Sequence, residues 1–137
     1  MSREGVFLDT AAIIALAVPT DALHHAANEV MAGLAGDGSP MVTSDYVLME
    51  FLNGSSAPSR RSTAAALARN LLDTRALEVV ECSRGTLLGA MDLYESRPDK
   101  EWSIVDCSSI LICQNRGIRR VFTHDRHFRQ AGFAVLL

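Results

Sequence analysis

Lysine is nearly missing from this sequence: of thirteen basic residues only Lys100 is a lysine, and the rest are arginines. Sixteen acids outnumber them and leave a formal net charge of −3. That balance argues against a domain that grips nucleic acid by overall charge, since such domains are usually basic. Cysteine is scarce as well. Cys82, Cys107 and Cys113 form an odd set without metal-ligand spacing, and all three are expected to be reduced, buried thiols. The apolar run at residues 11–18 is far short of the roughly 20 residues that span a bilayer. With the mixed charge of Met1-Ser2-Arg3-Glu4-Gly5 ahead of it, nothing marks export or membrane insertion, and a cytoplasmic location without membrane contact is expected. A glycine-rich phosphate loop is also lacking, because Gly36-Asp37-Gly38 reads as a turn. Cys107-Ser108-Ser109 has no flanking glycines to make a nucleophile elbow. His124 and His127 stand three apart with no thiolate or third histidine, a weak zinc signal, and His24-His25 reads as an exposed structural pair on a helix.

What is present is a chain of 137 residues, 48% hydrophobic, enough for one domain with one core over 1–137 and too short for two ordinary ones. Val6-Phe7-Leu8 is a short apolar strand that ends at Asp9 and runs directly into an alanine-rich helix before Pro19. Asp21 is placed to cap a second helix at 22–34, which the stretch Gly36 to Pro40 breaks. A strand at 41–43 follows, and Ser44 or Asp45 caps a helix that runs to Asn53 and stops at Gly54. A polar loop at 55–59 leads to a helix at 60–73, a strand at 77–80 and a helix at 84–94. A helix beginning near Ser103 stops at Gly117, and a strand at 119–123, a short helix at 126–131 and an apolar strand at 133–137 close the chain. Short apolar strands alternating with helices predict an α/β three-layer sandwich, a parallel sheet with helices on both faces.

Ligands of open α/β sheets collect outside the carboxyl ends of the strands. Asp9 and Asp125 each fall at such an end. Asp106 has Ser109, Ile110 and Cys113 at i+3, i+4 and i+7, so it lies toward the apolar stripe of its helix, where a lone charge is poorly solvated. Glu50 has Tyr46, Val47 and Gly54 as helical neighbours, which is no solvated face. Taken singly, each acid has a plainer explanation: Asp9 and Asp125 as caps, Asp106 as a first-turn acid, Glu50 as a partner for an arginine. Together they are expected to share one crevice. Two unit charges about 4 Å apart repel by on the order of 4 kcal/mol at an effective dielectric near 20, so the cluster must take up protons or hold a cation. Oxygen ligands suit Mg²⁺ or Mn²⁺, and the reaction that fits such an ion is phosphodiester hydrolysis. Asp9, Asp106 and Asp125 are the expected metal ligands, with Glu50 as a fourth catalytic acid. Thr10, Ser103 and Thr123 are candidates to orient a carboxylate or a water, although Ser103 equally suits a helix cap.

Four blocks of sequence carry a resemblance: Val6-Phe7-Leu8-Asp9-Thr10; Thr43-Ser44-Asp45-Tyr46-Val47-Leu48-Met49-Glu50; Trp102-Ser103-Ile104-Val105-Asp106-Cys107-Ser108-Ser109; and Thr123-His124-Asp125-Arg126-His127-Phe128 followed by Ala131-Gly132-Phe133. In these the chain resembles the PIN-domain family, and more closely the VapC-type ribonuclease toxins of bacterial toxin–antitoxin pairs. The resemblance implies a metal-dependent endoribonuclease with Asp9, Glu50, Asp106 and Asp125 at the four acidic positions. It also implies a structured RNA substrate such as tRNA or rRNA, a homodimer, and a cognate antitoxin that inhibits it. Ala11 stands where relatives often carry a polar residue. Asp99 is a further acid near the site, more suited to a solvated loop, and Trp102 suits either a base platform or the core. Two other readings stay open on sequence alone: a non-catalytic interaction module with capping acids, and a structure-specific DNA nuclease.

Overall fold

The computed structural model of the chain describes residues 4–137; Met1, Ser2 and Arg3 of the mixed-charge opening lie outside the described residues. β1 (Val6–Leu8) is buried at all its residues, the pattern of a strand covered on both faces. Asp9 is extended and its carbonyl accepts the N–H groups of Ala12 and Ile13, so the strand passes into α1 (Thr10–Ala17) without a loop. α2 (His24–Asp37) ends on Gly38 at φ 65°, a left-handed conformation that glycine adopts without penalty. β2 (Met41–Ser44) enters α3 (Asp45–Gly54) as abruptly as β1 enters α1. The Ser44 hydroxyl accepts the Val47 N–H at 3.2 Å and caps α3. The chain continues through α4 (Pro58–Asp73), β3 (Leu77–Val80), α5 (Arg84–Ser96), α6 (Ile104–Arg116), β4 (Arg120–Phe122), α7 (Arg126–Gln130) and β5 (Ala134–Val135).

The strands form one sheet in the order β3-β2-β1-β4-β5, with every neighbouring pair parallel. This is the α/β sandwich that the alternation predicts. The chain travels outward from β1 to β3, then crosses back over β1 to reach β4. Right-handed crossovers on either side of that reversal put helices on opposite faces. The reversal also makes a topological switch point between β1 and β4, where the loops diverge and leave a crevice at the carboxyl ends. Leu8 pairs with Phe122 at this point, and the Asp9 N–H still donates to the Phe122 carbonyl at 3.2 Å.

Phe7, Ile110, Val121, Phe122 and Phe128 are fully buried at the centre of the core. α5 lies so close to α6 that a Cβ on Gly89 would meet the Leu111 side chain at 2.7 Å. The missing side chain lets α6, which bears Asp106, settle deep against its neighbour.

Several element ends differ from the sequence expectation. Asp21 is not the cap of α2: its Oδ1 accepts the Leu23 N–H at 2.9 Å in a turn ahead of the helix. α2 then continues past residue 34, since Gly36 costs a helix only about 1 kcal/mol and the left-handed Gly38 makes the actual stop. α4 starts at Pro58, inside the stretch expected to be a polar loop, because proline's fixed φ suits the first helical turn. β5 spans two residues, yet the Leu136 and Leu137 N–H groups still donate to Val121 and Thr123. Cys107 and Cys113 are buried free thiols as expected, whereas Cys82 is exposed. His24 is not an exposed residue either; its Nδ1 bonds the Ala15 carbonyl at 2.8 Å and ties α2 to α1, while His25 stays outside and faces Glu29. Among the described residues no helix is long and apolar enough to cross a membrane.

Candidate active site

The carboxyl ends of β1 and β4 set the first two positions. Asp9 directly follows β1 and is 4% exposed. Thr123 follows β4, is fully buried, and its hydroxyl donates to Asp9 Oδ2 at 2.8 Å. The Thr123 hydroxyl oxygen in turn accepts the Asp125 N–H at 3.1 Å. One hydroxyl, donating once and accepting once, therefore ties the end of β1 to the loop that holds Asp125.

Asp106 is brought in by the start of α6. The Ser103 hydroxyl accepts the Asp106 N–H at 3.0 Å, and Asp106 Oδ2 accepts the Ser103 N–H at 3.1 Å, a reciprocal capping box. Ser103 thus fixes Asp106 through its helix cap. Asp125 caps α7, its Oδ1 accepting the His127 N–H at 2.9 Å. Asp106 and Asp125 share a partner that sequence reasoning set aside: His127 Nδ1 lies 2.9 Å from Asp106 Oδ2 and 3.3 Å from Asp125 Oδ1. The signal available in the sequence was the Asp125-Arg126-His127 spacing at a helix start, which returns the imidazole beside its own capping carboxylate.

The four acids do not form one even ring. The tightest group is Asp106, Asp125 and His127, whose donor atoms all lie within 4.8 Å of one another. Asp9 joins it through Thr123 and through its charge. Burial above all pushes the Asp9 carboxyl up to about 7, and the negative charges of Asp106 and Glu50 add to the rise. The Thr123 hydroxyl and the Thr10 N–H pull the other way without cancelling it. Glu50, half-buried on α3, is near enough to be felt at Asp9 but stands outside the tight group. Cys113 underlies the same pocket, its thiol raised to about 12 by burial with a further push from Asp9; it is therefore an inert core thiol.

Among the described residues, no lysine or arginine ion-pairs with Asp9, Glu50, Asp106 or Asp125. The Thr10 hydroxyl is buried beside Asp9 without a hydrogen-bond partner. Asp106 and Asp125 each keep a second oxygen free of hydrogen bonds within the described chain. Carboxylates without a lysine or arginine partner, a buried aspartate whose carboxyl is pushed up by burial, and an orphaned hydroxyl make a donor set that a hard divalent ion fits.

The surroundings divide by chemistry. A polar cleft of about 260 Å³ lies against His127 and is lined by Asp99, Lys100, Glu101, Arg126 and Gln130. A larger cavity of about 670 Å³, bordered by Met91, Tyr94 and Ile104, reaches Ser103. Asp99 is solvated and held by Arg97 through two bonds of 2.9 and 3.0 Å, which bring its carboxyl down to about 2. Trp102 is no open platform for a base. Its ring is 6% exposed, its Nε1 donates to Gln130, and the Arg97 guanidinium lies 5.1 Å from the ring centre.

Fold and site together define a doubly wound α/β protein with an acidic crevice at its switch point. The sequence matches the PIN domain family model over residues 6–134, and the chain belongs to the PIN domain family. No curated protein matches it in sequence. The Mycobacterium tuberculosis VapC20 structure, a sarcin-ricin loop cleaving toxin, is 24% identical with a TM-score of 0.83, covering 95% of this chain and 97% of that one. DNA-bound VapBC from Salmonella typhimurium is 16% identical at a TM-score of 0.69, with coverage of 98% and 97%. FitAcB from Neisseria gonorrhoeae is 16% identical at 0.66, with 96% of each chain covered.

Proposed function

We propose that this chain is a divalent-metal-dependent endoribonuclease that hydrolyses phosphodiester bonds in structured RNA, tRNA or rRNA, and serves as the toxin of a toxin–antitoxin pair. The observation that carries the reading is the gathering of buried Asp9 and Asp106 with half-buried Asp125 at the carboxyl edge of a PIN-family sheet, with no lysine or arginine paired to them among the described residues. Those three would hold Mg²⁺ or Mn²⁺. When bound, such an ion supplies positive charge to a scissile phosphate and makes water a stronger acid near neutral pH. Thr123 orients Asp9, Ser103 orients Asp106 through the capping box, and the Thr10 hydroxyl is available to hold a water. Glu50, less buried than Asp9, is the candidate to take a proton from the attacking water. Lys100 and Arg126 along the polar cleft supply phosphate contacts to a strand leaving the site.

The VapC20 neighbour's sarcin-ricin loop supports a folded RNA as the substrate class, and the VapBC complex supports an antitoxin partner. Exposed Leu88, Met91 and Tyr94 on α5 support a homodimer surface. Folded RNA incubated with Mg²⁺ or Mn²⁺ is expected to be cleaved, with activity lost on chelation and in Asp106→Asn. Undiminished cleavage by the variant rejects the role of the site. Cleavage of branched DNA in preference to RNA establishes the DNA-nuclease alternative, and no cleavage of either supports an interaction module.

A further inference from the structure

We infer that His127 is a nitrogen ligand of the divalent ion, so that this centre favours Mn²⁺ over Mg²⁺ more strongly than its carboxylates alone would. The inference rests on the metal-dependent reading above and concerns a residue outside the acidic set. Its first support is spacing. Adjacent donors on a six-coordinate ion with bonds of about 2.1 Å lie about 3.0 Å apart; His127 Nδ1 hydrogen-bonds Asp106 Oδ2 at 2.9 Å and lies 3.3 Å from Asp125 Oδ1, so an ion that displaced the shared proton would find donors already at that spacing. The second is rigidity. The His127 N–H is held by Asp125, and the next residue, Phe128, is fully buried, with its carbonyl accepting the Phe133 N–H and its ring packed edge-on against Phe133. α7 therefore delivers the imidazole to a fixed point, where Nδ1 donates to Asp106 in the metal-free chain and, with the ring proton on Nε2 instead, would present its lone pair to an entering ion.

The third support is the donor inventory. His127 is the member of the tightest group that is not an oxygen donor, and its side chain remains 21% exposed and in reach of an entering ion. His124, by contrast, is exposed and lies outside this group among the described residues. Mg²⁺ dehydrates reluctantly and seeks oxygen, whereas first-row transition ions gain more from an imidazole nitrogen.

The test is pulsed electron paramagnetic resonance on Mn²⁺-loaded protein. Wild type is expected to show the ¹⁴N modulation of a directly bound imidazole, absent in His127→Ala. The Mn²⁺ affinity of the variant is expected to fall by at least about tenfold, the lower end of what losing even an outer contact to a metal site costs, with a smaller fall for Mg²⁺. Wild-type protein carrying ¹⁵N-histidine supplies the same answer if the variant does not fold, through replacement of the ¹⁴N pattern. Bound Mn²⁺ without nitrogen coupling overturns ligation by His127 and leaves the metal-dependent reading standing; failure of wild type to take up Mn²⁺ overturns both.

Discussion

Asp9 sets the electrostatics of the pocket. Its carboxyl moves from an ordinary value of 3.8 to about 7 because burial removes water from the charged form, and Asp106 and Glu50 add like charge. Between those two values the folded state holds a proton that the unfolded chain has released, so the stability this proton contributes is present at low pH and lost as pH rises through about 7. Asp9→Asn keeps an acceptor for Thr123 and cannot ionise. In metal-free protein the variant is expected to melt at a higher temperature than wild type at about pH 8, with the gap closing toward about pH 5. Thermal denaturation with chelator at both values checks it, and parallel pH profiles would contradict the assignment. Added Mn²⁺ should raise the melting temperature of wild type and leave that of the variant unchanged.

At the scale of elements, the site depends on strands that turn into helices without loops. Ser44 is the joint between β2 and α3, fully buried, with its hydroxyl on the Val47 N–H. Ser44→Ala is expected to cost about 1 kcal/mol of stability, as lost caps do, measured by urea denaturation, and no change in midpoint would contradict the cap. This joint was legible in the sequence, as were β1 with Asp9, the Ser103 start of α6 and its stop at Gly117, because each pairs an apolar run with a residue of known capping chemistry. The misplaced boundaries are those where local signals competed. Asp21 has the right chemistry two residues early, and Pro58 follows a serine-rich stretch that signals a loop, although proline opens helices as readily as it ends them.

Across the whole molecule, the sheet order makes the site. β1 and β4 are 114 residues apart at Asp9 and Thr123, yet the crossover after β3 lays them side by side and a single hydroxyl joins their ends. That Asp9, Asp106 and Asp125 would come close together was legible because each sits at a strand end or on the apolar side of a helix. His127 was not, because its direction depends on how α7 docks through Phe128, a tertiary fact that spacing alone does not carry. The uneven arrangement of the acids, with Asp9 and Glu50 outside the tightest group, was hidden for the same reason. Folding gathers these distant groups, and the proposed function requires that they form one site for a divalent ion. Titration calorimetry of wild type and Asp106→Asn with Mn²⁺ tests it most directly. A saturable isotherm for wild type that vanishes in the variant is expected; equal binding by both, or none by wild type, would contradict it.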